Sequence, residues 1–255
     1  NIICYMIFDD HEITDDWFLN DTWETNAAKH DAAIRIMTNG MAAYWAFQGW
    51  GNDPEVFDNA YRSTISSFTE GAGQNTSIAW TILRKTDWSY IAPTSPPTLF
   101  LDTRTKRERS PAVVDDVGFG FQKRAIHPFS PGILAQNIQS APDVLTAPRN
   151  TNAPRLLGGP ARSRVLELIK KHVSSHEPLI VIAPSPIFGF PPLEWIQSEI
   201  GKISASSADL ESWSANPRNT LDAIELFSKS SPEPLIILSG DVHYGFEVEG
   251  RIFTK

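Results

Sequence analysis

Two apolar runs in this chain end in the same kind of cluster. Ile2-Ile3-Cys4-Tyr5-Met6-Ile7-Phe8 runs into Asp9-Asp10-His11-Glu12, and far downstream Leu235-Ile236-Ile237-Leu238 runs into Ser239-Gly240-Asp241-Val242-His243. Each run reads as a buried strand, and each delivers carboxylates and an imidazole to a sheet edge. In open α/β sheets, ligands bind just beyond the carboxyl ends of strands. Carboxylates crowded there repel unless a cation lies between them. The spacing of Asp241 and His243 puts both on one face of an extended segment. Spacing alone leaves two readings open, a divalent-metal site or a pair of solvated turns.

The pattern between these ends is that of an α/β protein. Leu179 to Ala183 is a continuously apolar run, expected to be a strand buried on both faces. Ala161 to Ser174 before it has Val165, Leu166, Leu168, Ile169 and Val173 at helical spacing. Pro217 or Arg218 to Ser228 reads as a further helix burying Leu221, Ile224 and Phe227. Strand, helix and strand in alternation imply right-handed crossovers and a largely parallel sheet. Tyr244 to Phe253 is expected as an adjoining strand pair. Earlier, the stretch from Asp21 to about Gln48 predicts one long helix. Gly49 to Pro54 reads as a turn, and Glu55 to Phe68 as another helix. Ile78 to Leu83, Trp88 to Ala92 and Thr98 to Asp102 predict three strands of a meander. From Thr105 to Pro160 seven prolines break every period, so this stretch reads as an insertion within one domain spanning residues 1–255.

Composition narrows the function classes. With 41% apolar and 20% charged residues, the chain is ordinary for a globular protein. Its net charge of -8 argues against nucleic-acid binding through a general basic field. No run approaches the apolar length of a membrane span. Cys4, the single cysteine, is expected to be a buried, inert thiol, compatible with a reducing compartment but not restricted to one. Eight tryptophans and the proline-rich stretch suggest a wide, aromatic-lined approach to a site.

The two clustered ends resemble a known family. Phe8-Asp9-Asp10-His11-Glu12, with Asp15-Asp16-Trp17 after it, and Leu238-Ser239-Gly240-Asp241-Val242-His243 resemble the PhoD-like (alkaline phosphatase D) branch of the calcineurin-like metallophosphoesterases. Leu99-Phe100-Leu101-Asp102-Thr103-Arg104 resembles a strand end of the same proteins. The resemblance implies a layered α/β/β/α sandwich with mixed sheets. It implies hydrolysis of phosphate monoesters or diesters, in which two metal ions about 3.5–4 Å apart neutralise phosphate charge and generate a hydroxide near pH 7.

Residue roles follow from the same resemblance. Asp10, Asp241 and His243 would hold metal, and His11 would be the catalytic histidine that assists the leaving oxygen. Asp9 and Glu12 would steady His11 and the ligands. Arg104 and Ser185, each just past a strand, are candidates to touch the phosphate. Asp10 replaces the superfamily's asparagine, and its extra negative charge favours Ca²⁺ or Fe³⁺, with Mn²⁺ or Zn²⁺ also fitting hard oxygen and imidazole donors. The upstream Asp-x-His and Gly-Asp-x-x-Asp motifs are not found here. The chain is therefore expected to be the C-terminal portion of such a domain, inactive in isolation. A non-catalytic domain that keeps the fold for binding or scaffolding is the alternative. His30, His127, His172 and His176 read as solvated or polar-patch residues.

Overall fold

The computed structural model describes residues 3–14, 17, 21–71, 74–108, 155–187, 213, 216–230, 234–240 and 247. They form a mixed α/β structure. Helices α1 (Asp21–Ala28), α2 (Asp31–Tyr44), α3 (Asn59–Glu70) and α4 (Thr76–Lys85) come first. Strands β1 (Tyr90–Ala92) and β2 (Thr98–Phe100) follow, then α5 (Gly159–His172), β3 (Leu179–Ala183), α6 (Pro217–Ser230) and β4 (Leu235–Ser239). The sheet has the order β1-β2-β3-β4. Tyr90 pairs with Phe100 in the antiparallel β1/β2 ladder. Thr98 pairs with Ile180 and Leu179 with Leu235 in the two parallel ladders. The parallel part is what a strand–helix–strand alternation dictates, because each return to the same sheet edge needs a crossover.

Local chemistry explains most boundaries. The Asp58 side chain accepts from the Tyr61 amide at 2.7 Å and starts α3, a cap worth about 1 kcal/mol. Gly158 precedes α5, with Pro160 in its first turn, where a missing N–H is harmless. Lys170, Lys171 and His172 end it against the negative end of the helix dipole. Its buried stripe, Val165, Leu168 and Ile169, packs with Leu99, Leu101, Leu179, Val181, Leu226, Phe227 and Trp213. A second core is built mainly from the early helices and is rich in rings: Phe8, Trp17, Tyr44, Trp45, Phe57, Phe68 and Trp88. Trp17, Trp45 and Trp88, expected along an approach to a site, are thus core. A cavity of about 410 Å³ remains there, walled in part by Tyr44, Phe57, Tyr61 and Trp88.

Several expectations are corrected. Ile78 to Leu83 is not a strand but the middle of α4. Its branched residues suggested β-structure, yet Ala79 and Leu83, one turn apart, are fully buried while Ile78 is 53% exposed. The meander is therefore a two-stranded hairpin. The helix predicted over residues 21–48 is broken at Lys29 and His30, and α2 runs on through a π turn, Trp45–Gly49, into Trp50–Asn52. The turn expected at Gly49 thus lies later, and α3 begins at Asn59 rather than Glu55. No strand forms over residues 3–8. That segment is held by single contacts instead: the Met6 carbonyl accepts from Tyr90 Oη at 2.9 Å and from Asn52 Nδ2 at 2.7 Å. Cys4 is consequently exposed, not buried. Leu221 is also exposed, on the outer side of α6. In β3 only Leu179, Val181 and Ala183 are fully buried; Ile180 and Ile182 are half-buried. Residues 109–154, most of the proline-rich stretch, and the strand pair expected over 244–253, apart from Glu247, lie outside the described residues. No helix among the described residues is long and apolar enough to cross a membrane.

Candidate metal centre

Phe8 fixes where the acidic turn begins. Its ring is fully buried, edge-on to Trp17 (5.7 Å between centroids) and Tyr44 (5.3 Å). The chain beyond it makes one 3₁₀ turn, Asp10–Glu12, in which the Ile13 and Thr14 amides donate to the Asp10 carbonyl at 2.9 and 2.8 Å. The Trp17 amide returns to donate to Asp10 Oδ2 at 3.1 Å. Aromatic packing thus forces a fully buried carboxylate to the edge of the core. A buried charge must be paired or hold a cation.

Two guanidiniums meet that carboxylate. Arg104 Nε donates to Asp9 Oδ1 at 2.7 Å and lies 3.3 Å from Asp10 Oδ1. Arg107 Nη2 donates to Asp10 Oδ2 at 3.4 Å. Both arginines are buried. Arg104 follows β2, and its place is set by Asp102, also fully buried. Asp102 accepts from the amides of Trp88 (3.2 Å), Arg104 (3.2 Å) and Thr105 (2.8 Å), and from the Thr105 hydroxyl. The Asp102 amide donates to Ser89 Oγ at 3.0 Å. Beside this knot, burial and the Asp102 charge push the Asp87 carboxyl up to about 6. Burial lowers the Lys106 ammonium, whose Nζ donates to the Arg84 carbonyl at 3.0 Å.

The imidazole completes the cluster. His11 Nδ1 lies 3.3 Å from Asp9 Oδ2 and 3.5 Å from Asp10 Oδ1, with half of the His11 side chain exposed. Glu12, on the same turn, has its carboxyl raised by burial and then by the Asp9 charge. One potential ligand atom from each of Asp9, Asp10 and His11 falls within a mutual 4.8 Å. Asp10 Oδ1 is buried and has no hydrogen-bond donor. A buried carboxylate oxygen that accepts no hydrogen bond, beside a second carboxylate and an imidazole, is a donor set that suits a divalent ion, so the residues present fit a metal.

The structure therefore brings Asp9, Asp10, His11 and Arg104 together, with Glu12 on the same turn. Ser185 is buried just past β3. β4 ends at Ser239, in register with Ala183, so β3 and β4 finish at one edge. The Asp102–Arg104 turn follows β2 at the same edge, since Phe100 is in register with Ile182. Asp241 and His243 follow β4 and lie outside the described residues. Sequence reasoning did not single out three contributors: Arg107, the Trp17 amide, and Asp102 as the seat of the Arg104 backbone. An Asp two residues before an Arg at a strand end is a signal for the last, because Asx side chains take up the amides that follow them. No family model, curated protein or solved structure matches this chain.

Proposed function

We propose that this chain serves metal-dependent hydrolysis of phosphate mono- or diesters, as its resemblance to PhoD-like metallophosphoesterases suggests. The observation that carries the reading is Asp10 Oδ1, a buried carboxylate oxygen with no donor, grouped with Asp9 and His11 at the end of an apolar segment. On this reading the mixed sheet is one layer of an α/β/β/α sandwich. Asp10 holds an ion through Oδ1, and Asp241 and His243 complete the ligand set. Such ions neutralise phosphate charge and lower the pKa of water. The His11 imidazole gives a proton to the leaving oxygen as water attacks phosphorus and the P–O ester bond breaks.

The test is hydrolysis of p-nitrophenyl phosphate and bis(p-nitrophenyl) phosphate by the full-length protein, before and after chelation and metal return. Chelation abolishes turnover and metal restores it. His11→Ala lowers kcat/KM by about 10²-fold or more, the ordinary size of a general-acid contribution. Absent or chelator-insensitive hydrolysis by folded protein rejects the reading.

One observation favours a second reading, a non-catalytic binding or scaffolding domain. Arg104 and Arg107 already offset the charge of Asp10, so the turn stands without an ion. Folded full-length protein that takes up no metal would establish it.

A further inference from the structure

The charge on Asp10 is usually reason to expect a strongly charged ion, because carboxylates attract a trivalent cation more than a divalent one. The geometry around Asp10 works against that. Arg104 Nε stands 3.3 Å from Oδ1 and Arg107 Nη2 3.4 Å from Oδ2. Neither guanidinium loses its proton at ordinary pH. Both are buried, 0% and 5% exposed, so water screens them little. Nor can they readily swing aside when an ion arrives. Arg104 is bonded to Asp9 at 2.7 Å, its amide is seated on Asp102, and Arg107 Nε donates to the Arg104 carbonyl at 3.2 Å. An ion at Asp10 Oδ1 is therefore attracted by two carboxylates and repelled by two fixed cations. Each further unit of charge on the ion gains from the first pair and loses to the second.

We propose that Arg104 and Arg107 lower this turn's preference for a trivalent over a divalent ion. The inference rests on the metal-site reading above and adds to it the charge class of the ion and the residues that set it. Asp10 Oδ1 supplies the binding atom, and the two arginines supply the discrimination.

Ca²⁺ and Tb³⁺ test this directly. They are similar in size and both prefer hard oxygen, but they differ by one charge. Terbium luminescence excited through tryptophan reports occupancy, since the amide of Trp17 is bonded to Asp10 itself. Tb³⁺ binding and its displacement by Ca²⁺ are measured on the full-length protein, with Asp10→Ala giving the background from other carboxylates. Removing one nearby buried charge changes the Tb³⁺:Ca²⁺ affinity ratio by a factor on the order of ten. Arg107→Met and Arg104→Met are thus expected to raise the ratio about tenfold, and Arg107→Lys to leave it within about twofold. Circular dichroism identifies which variants are folded. An unchanged ratio in a folded methionine variant overturns the proposal, as does the lack of any Asp10-dependent binding. If neither methionine variant folds, the unaltered protein decides. A Tb³⁺ preference on the order of a thousandfold, the mark of unopposed carboxylates, overturns the proposal, and a much smaller one upholds it. Ester hydrolysis in the same preparations judges the phosphoesterase reading separately. Hydrolysis with an unchanged ratio sinks the charge selection alone, and a shifted ratio without hydrolysis sinks the phosphoesterase reading alone.

Discussion

Asp102→Ala is the most informative single perturbation of this fold. The side chain is fully buried and takes up three backbone amides, those of Trp88, Arg104 and Thr105, besides the Thr105 hydroxyl. Truncation strands those donors where no water replaces the acceptor. Each buried unsatisfied donor costs about 1–3 kcal/mol, and relaxation of the turn recovers part of that. We expect a loss of about 3–5 kcal/mol, in the range reserved for broken buried networks. Asp102→Asn retains one acceptor oxygen but turns an amide donor toward other donors, so it is expected to lose about 2–3 kcal/mol. Ser89→Ala removes the acceptor of the Asp102 amide and the hydroxyl bonded to Asp87, leaves the Asp102 carboxylate in place, and serves as a milder control, at about 1–2 kcal/mol. Urea unfolding followed by tryptophan fluorescence reads all three, with Trp88 placed directly on the knot. A loss below about 1 kcal/mol for Asp102→Ala, at unchanged m-value, refutes the claim that this carboxylate organises the turn.

Other outcomes follow from burial and charge. Leu99→Ala, at a fully buried position in β2, is expected to cost about 2–5 kcal/mol, whereas Leu221→Ala on the exposed side of α6 stays within about 0.5 kcal/mol. Comparable urea midpoints for the two would contradict the packing described. Asp87 has a folded-state value of about 6, above its ordinary carboxylate value. Its contribution to stability is therefore fully present below the unfolded value near ~3.9 and is lost as pH rises toward 6. The difference amounts to at most about 3 kcal/mol at 1.36 kcal/mol per pH unit. Asp87→Asn should accordingly be more favourable relative to the natural protein at pH 7 than at pH 4. A mutational difference that does not vary with pH would contradict this.

The sequence made the second half of the fold legible and much of the first half misleading, for physical reasons. β3 and β4 are unbroken apolar runs, α5 and α6 have one apolar face each, and the punctuation is clear, such as Pro160 at the start of α5; the burial expected of β4 is not met, since Ile236 and Leu238 are exposed. α4 is not so marked: Ile78, Thr81 and Ile82 favour a strand locally, and only the burial of Ala79 and Leu83 against the aromatic core makes it helical. The segment before Asp9 is apolar enough for a strand, yet it lies against Tyr90 and Asn52 through its Met6 carbonyl rather than in a ladder. At the candidate site, the acids and the imidazole announce themselves by type and spacing. What they contact does not, because the cations that meet Asp9 and Asp10 come from more than ninety positions along the chain. Arg104 looked like a phosphate contact because it ends a strand. The structure has it fully buried beneath the acidic turn, donating to Asp9.

Glu108 and Arg155 exchange both of their backbone hydrogen bonds, at 2.7 and 3.0 Å, and their side chains are paired as well. The Glu108 carboxylate also accepts the Gly159 amide at the start of α5, and Arg155 is further anchored on Asp222 of α6. Glu108 and Arg155 are thus clasped side by side in a frame tied to two helices. The clasp fixes these two chain positions relative to each other and to the contacts that α5 and α6 make with them, so breaking the Glu108–Arg155 pair loosens both helices at once.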